Sequence, residues 1–305
     1  MTIVHAAAMG ATSVLPFIGV SDLVIGLSLG SRLFLIAVGL SLIFGVLGVL
    51  NFAHGAFYMV GAYVTLGVTN QVIGNFWIAV LVGGVAVGLL GVLIEVGTIR
   101  PLYGRIEDEL DQLIVTFGFV LVIHEGVRFV WGSQPYSMGA PASLAFPVSI
   151  GGSTFGAYRL FVIGAAFVVM GGLWVFITRT YFGSLVRGTS SDREMASMLG
   201  VDVPRLYTAV FFLGSFLAGL GGALAAPLQS VSPALGDQVI IDAFIIVVIG
   251  GLGSLSGAFV GAMFVGILQS IGPQFIAAGH IAIPFLAMVL VLVFRPEGLF
   301  GGIGE

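Results

Sequence analysis

GVLNFAHGAFYMVGAY, residues Gly48 to Tyr63, sets a polar Asn-x-x-His-Gly interruption inside sequence otherwise apolar enough to span a bilayer. Apolar residues run from Leu33 to Leu50 before it and through most of Ala56 to Ile73 after it. Backbone groups freed by a helix break in hydrocarbon must be satisfied by protein or by a water-filled cavity. A polar, Gly-punctuated break at membrane depth therefore points to a translocation path. The expected class is transport.

Composition agrees with that placement. Of 305 residues, 58% are hydrophobic and 8% charged, with mean hydropathy +1.17. A soluble domain carries about 25% charged residues, so most of this chain must face lipid or other helices. The 47 glycines let helix backbones approach closely where no hydrophobic force drives association. Cysteine is absent, which excludes disulfides, thiolate chemistry and Cys-based metal sites. All ten basic residues are Arg. Without Lys the chain has no phosphate-binding loop of the Gly-Lys-Ser/Thr type, nor a Schiff-base lysine. The first ten residues, MTIVHAAAMG, lack the positive start of a removable signal peptide.

A helix needs roughly 20 apolar residues to cross the hydrocarbon. Candidate spans are Leu23–Leu50, Gly55–Ile73, Phe76–Thr98, Gln112–Trp131, Leu160–Thr178, Leu206–Ala226, Ser256–Phe275 and Ile281–Phe294. The shorter run Val239–Gly250 reads as a half-helix or a ninth, short crossing. The expected fold is all-α and polytopic, with about eight spans plus one or two broken or re-entrant helices. It is taken as one transmembrane domain over residues 1–305. Arg100 and Arg105, then Arg179, Arg187, Arg193 and Arg205, then Arg295, mark the cytoplasmic loops. Ser133–Tyr158, Pro227–Gln238 and Ala277–His280 contain no Arg and fall outside. The acidic run Glu107-Asp108-Glu109 with Asp111 shares the first cytoplasmic loop, but acids weigh little in the rule. Between Arg205 and Arg295, either 239–250 crosses or the Ser256 span is re-entrant.

The chain also resembles itself. GVLNFAHGAF (48–57) aligns without gaps to GGLGSLSGAF (250–259), and each pairs an apolar stretch with a Gly-rich break. Paired interruptions in two halves of a chain point to a transport path. Candidate path residues are therefore Asn51, His54, Asp242, Gly253, Ser254 and Ser256, with Asp242 placed at the outer mouth of the second break. His54 and His124 come from separate spans with no third ligand, which argues against a metal. Glu125 and Arg128, at i, i+3, should form a salt bridge within one helix. Glu95 and Arg100 read as anchors at an inner helix end.

Residues 179–205, RTYFGSLVRGTSSDREMASMLGVDVPR, form the longest cytoplasmic stretch. Ser190, Ser191 and Asp192 offer N-caps for a short helix over Arg193–Leu199; Gly200 suits C′ and Pro204 prevents continuation. Met195, Met198 and Leu199 fall at i, i+3, i+4 and make an apolar edge. That edge either meets a soluble partner or lies against its own bundle.

With those residues in hand, the chain resembles the integral-membrane permease subunits of ABC importers of the branched-chain amino acid uptake family. The likeness spans Leu23 to Gly301. It is carried by NFAHG with Met59-x-Gly61-Ala62-Tyr63, by Glu95 with Arg100-Pro101-Leu102, and by Glu125…Arg128…Trp131-Gly132. DAFIIVVIGGLGSLSGAFVGA (242–262) and Arg295-Pro296-Glu297-Gly298-Leu299-Phe300-Gly301 complete it. Glu194-x-Ala196-x-x-x-Gly200 is similar to the coupling motif of such permeases. The resemblance implies ATPase coupling through Arg187, Arg193, Glu194, Met195, Ala196, Met198, Leu199 and Gly200. It implies a second homologous permease, two cytoplasmic ATPase subunits that bind ATP and Mg, and a periplasmic or extracellular solute-binding protein. The chain itself would be no enzyme and hold no cofactor, sit multi-pass in a bacterial inner membrane among lipid, and bind no nucleic acid. Relatives carry branched-chain or other amino acids, amides, urea or aromatic acids. Ala56, often acidic in relatives, and Gly188, often Ala, depart from the pattern. The competing reading is an ion-coupled secondary transporter, whose coupling ions need buried acids near the midplane; most acids here sit at span ends or in loops.

Overall fold

The structure, a computed structural model, describes residues 19–102, 109–276 and 278–301. Arg105, Glu107, Asp108 and the N-terminal segment expected to lack a signal peptide lie outside the described residues. Nine helices follow the apolar stretches: α1 (Val20–Leu47), α2 (Ala53–Gly67), α3 (Phe76–Ile94), α4 (Glu109–Trp131), α5 (Ala157–Arg179), α8 (Val203–Ala225), α9 (Leu235–Gly250), α10 (Leu255–Ile271) and α11 (Gly279–Phe294). Two more, α6 (Tyr181–Ser191) and α7 (Arg193–Met198), lie between α5 and α8. Helices α2 and α3 each end in a π-helical turn, Val68–Val72 and Glu95–Ile99.

Among the described residues, six helical stretches are long and apolar enough to cross a membrane by length and composition. Burial separates them. The most apolar windows of α1 and α8 are 67% and 72% buried, whereas those of α4 and α5 are 22% buried. So α1 and α8 are the axis of the bundle, and α4 and α5 leave most of their apolar surface for lipid or a neighbouring subunit. Close packing on the axis depends on glycine. A Cβ at Gly30 would stand 2.6 Å from the Ala262 carbonyl of α10, and Gly61 of α2 lies directly on Gly219 of α8. Such contacts are the small-residue packing expected between membrane helices.

Residues 239–250 belong to a helix that starts earlier, at Leu235. Counting α9 as a crossing puts residues 179–205 and Arg295 at one end. Leu255, at the start of α10, packs on a cluster that includes Leu42, Ile177, Val186, Val203 and Leu206. Beside it, Leu299 N donates to Ile249 O (2.8 Å) and Phe300 N to Gly250 O (3.0 Å). The 177–206 segment and the segment after Arg295 therefore share one end of the bundle. Tyr136 pairs with Val231 at the other end.

One departure from an all-α chain is a short hairpin, β1 (Pro147–Ile150) and β2 (Ser153–Gly156). Its two-residue turn, Gly151-Gly152, has φ of 58° and 83°, the double positive φ that such hairpin turns require.

Candidate translocation path and coupling surface

Gly48, with φ 67°, ends α1 in the left-handed conformation, and its N–H donates to Phe44 O at 2.8 Å. Residues 48–52 then run back along α1. His54, in the first turn of α2, donates from Nε2 to Ile36 O at 3.2 Å; a carbonyl only accepts, so Nε2 carries the proton. Ile36 lies about 16 Å up the helix from Leu47 at 1.5 Å per residue. The break is thus a re-entrant stretch, and α2 begins at the depth of the middle of α1. Asn51 Oδ1 accepts from Ala53 N at 3.0 Å and caps that start. Asn51 Nδ2 and His54 Nδ1 are buried with no hydrogen-bond partner. Gly55 lies on the Gly236 carbonyl and beside Ile240, while the Phe52 ring stands 4.9 Å from Phe244. The first turns of α2 and α9, running in opposite directions, meet here.

The second break is built differently. Gly251 and Gly253 have φ of 102° and 81°, and Ser254 Oγ accepts from Gly257 N at 3.0 Å. Ser256 lies not in the break but, exposed, in the first turn of α10. Asp242 is likewise not at the mouth of that break; it sits mid-way along α9, half-buried, and accepts from Gln269 Nε2 at 2.8 Å. The cause of both shifts is the tight turn: with two glycines in the left-handed region, four residues suffice between helices. Gly253 stands against Gly45, and Ser41 Oγ donates to Ser254 O at 3.3 Å. His54 meets α1 at Ile36 and Gly39. The two breaks therefore flank different faces of α1.

Sequence patterning passes over a polar group beside the first break. Arg32 of α1 donates from Nη1 to Gln229 Oε1 at 2.9 Å, and Gln229 Nε2 donates to Tyr58 Oη at 3.3 Å. The signal that could have found it is a charge inside an apolar span. Elsewhere, Glu95 is fully buried and accepts from Thr208 Oγ1 at 2.7 Å, tying α3 to α8 rather than anchoring at an interface. Arg128 and Glu125 pair at 2.7 Å on the exposed face of α4. Among the described residues, no group of three His, Cys, Asp or Glu side chains could hold a metal.

Between α5 and α8 the chain forms two helices where one was expected. Thr180 Oγ1 caps α6, accepting from Gly183 N at 3.1 Å. Val186 and Thr189 of α6 are buried, and Arg187 Nη1 reaches back to Ile177 O. Arg187 thus braces α6 against α5. Asp192 Oδ1 accepts from Met195 N at 2.9 Å to start α7, and Gly200, with φ 86°, follows its end. Only Ala196 of α7 is buried; Met195, Met198 and Leu199 are 53%, 81% and 78% exposed. Glu194 is exposed too, while the Arg193 guanidinium lies 5.4 Å over the Tyr207 ring. The apolar edge does not lie against its own bundle. Beside it, a cavity of about 350 Å³ is bounded by Tyr181, Leu185, Leu199 and Leu206.

The sequence profile of a family described as branched-chain amino acid transport system, permease component, matches residues 23–294. The high-affinity branched-chain amino acid transport permease BraD of Pseudomonas aeruginosa is 29% identical over 92% of this chain and 95% of its own length. LivH of Escherichia coli, named likewise, is 28% identical over 90% and 93%. LivM of Escherichia coli, also a high-affinity branched-chain amino acid permease by name, is 25% identical over 87% of this chain and 67% of its own. No solved structure matches. With a match over nearly its whole length, a polytopic helical bundle and a polar break on its axis, the chain belongs to the family of branched-chain amino acid transport system permease components.

Proposed function

We propose that this chain is one of two homologous membrane subunits of an ABC importer in a bacterial plasma membrane. Separate cytoplasmic ATPase subunits drive it, and an external solute-binding protein delivers the solute. The observation that carries this reading is the apolar edge of α7, exposed on a capped helix at the arginine-rich end of the bundle. An ATPase groove is the occupant it fits, because the chain lacks Lys and so has no phosphate-binding loop of its own. That the names of LivH and LivM, similar to this chain at different identities, come from one organism supports a paired second permease. Asn51, His54 and Asp242 line the route from the first break, and the Gly251–Ser254 turn is the pivot between α9 and α10. Branched-chain or other amino acids are the solutes this family membership favours.

Interfaces concentrate their energy in a few desolvated residues, each apolar anchor here being worth about 1.5–3 kcal/mol on burial. Leu199→Asp should therefore abolish assembly with the ATPase subunits or uncouple hydrolysis from uptake. Co-purification and ATP-dependent uptake in proteoliposomes measure both; normal assembly and uptake by the variant would remove the docking assignment.

A further inference from the structure

Among the described residues, Arg32 is a cation within the bundle that no carboxylate contacts as an ion pair. Gln229 takes one of its N–H groups, whereas a guanidinium offers five in a fixed fork. Its Nε is shut off from solvent and has no partner. Arg32 is half-buried, and holding a cation there without a counter-ion is unfavourable, so the position suits an anion. Tyr58, Tyr158 and Arg159 are all close enough to act on it electrostatically. A cavity of about 440 Å³ is lined by Tyr158, Arg159 and Leu228, with Phe146 and Leu144 at its side. Leu228 immediately precedes Gln229, and His54 stands one helical turn before Tyr58 on α2. Tyr158 and Arg159 of this cavity, at the end opposite α7, thus lie within electrostatic range of Arg32, which connects through Gln229 to Tyr58, one helical turn from His54.

We propose that Arg32, held by Gln229, binds the carboxylate of the transported solute, with Arg159 drawing the anion into the cavity. A planar carboxylate fits the guanidinium fork in a bidentate way that an amide or urea does not. The proposal rests on the importer reading and assigns the residue that holds the carboxylate its amino-acid solutes carry. The test is uptake by the fully assembled transporter in proteoliposomes. Radiolabelled probes come as matched pairs, leucine with leucinamide and 4-hydroxybenzoate with 4-hydroxybenzamide, plus urea. The wild type should import an acid and neither its amide nor urea. Arg32→Gln should lower that uptake about ten- to a hundredfold, as expected for hydrogen bonds to a charged group. Assembly with the ATPase subunits should stay intact, and Arg32→Lys should restore uptake in part. Import of urea or an amide by the wild type, or undiminished acid uptake by Arg32→Gln, overturns the proposal. If Arg32→Gln does not assemble, Arg32→Lys decides: it keeps the charge without the fork, and unchanged uptake overturns the assignment. Absence of ATP-driven uptake of every probe by the wild type overturns the importer reading itself, before any variant is compared.

Discussion

Between α1 and α2 the chain climbs back along its own helix, while between α9 and α10 it reverses in a tight turn. The first connection ends at Asn51 and His54, each with a buried polar atom that has no partner. The second satisfies itself: Ser254 caps α10, Ser254 N donates to Gly251 O at 3.1 Å, and residues 299–300 bond to Ile249 and Gly250. These segments are similar in sequence, GVLNFAHGAF against GGLGSLSGAF, so the difference lies in a few residues. Asn and His at the first break replace Gly and small Ser at the second. Unpaired buried polar groups are expensive, and they persist where a solute or water completes them in another state. Similar sequence thus gives two different connections, and the polar residues at the first are what the proposed route depends on.

The largest expected effect comes from closing the space at the first break. At Gly55 a Cβ would stand 2.7 Å from Ile240 and closer still to the Gly236 carbonyl. Gly55→Leu should prevent a folded protein, seen as loss of the monodisperse peak in detergent; a folded, transporting variant would break the α2–α9 crossing. At the second break, Gly251→Ala meets both a φ of 102° and the Gly301 amide at 2.6 Å. It should cost about 1–3 kcal/mol through strain, visible as a lower Tm, while the protein that survives transports normally. Reduced uptake at full folding would show that the turn does more than hold α9 to α10. The smallest pair is the most informative. Asn51→Ala and Ser254→Ala each remove a cap worth about 1 kcal/mol. Asn51→Ala should depress uptake beyond its shift in Tm, and Ser254→Ala should not; equal behaviour would erase the contrast.

Much of this architecture was legible from local signals. Apolar length located the helices but overcounted the spans. Among the described residues six stretches are long enough, while Gly55–Ile73 falls in a helix that starts at mid-depth and Ile281–Phe294 in one of 16 residues. Asp192, Gly200 and Pro204 bounded α7. The depth of α2 was not legible, because it depends on His54 meeting Ile36, a contact no local pattern encodes. Helix α6 was missed for a related reason: Gly183 and Gly188 lower its intrinsic propensity. Packing of Val186 against the cluster around Ile177 holds it instead. Arg32 and the Gly151-Gly152 hairpin turn did carry sequence signals, a charge within an apolar run and a two-glycine turn. Among the candidate path residues, Asp242 and Ser256 were displaced because helix boundaries around the second turn shift by a few residues.

Because the native chain contains no cysteine, the claim that the first break carries the route is open to direct chemical test. His54→Cys and Ser254→Cys, each in the assembled transporter, are exposed to a small membrane-permeant polar thiol reagent in resting and ATP-trapped states. The account predicts that His54→Cys reacts in at least one state, with a rate that changes between them, while Ser254→Cys reacts alike in both. A cysteine at position 54 that stays unreactive in every state would contradict it and place the route elsewhere.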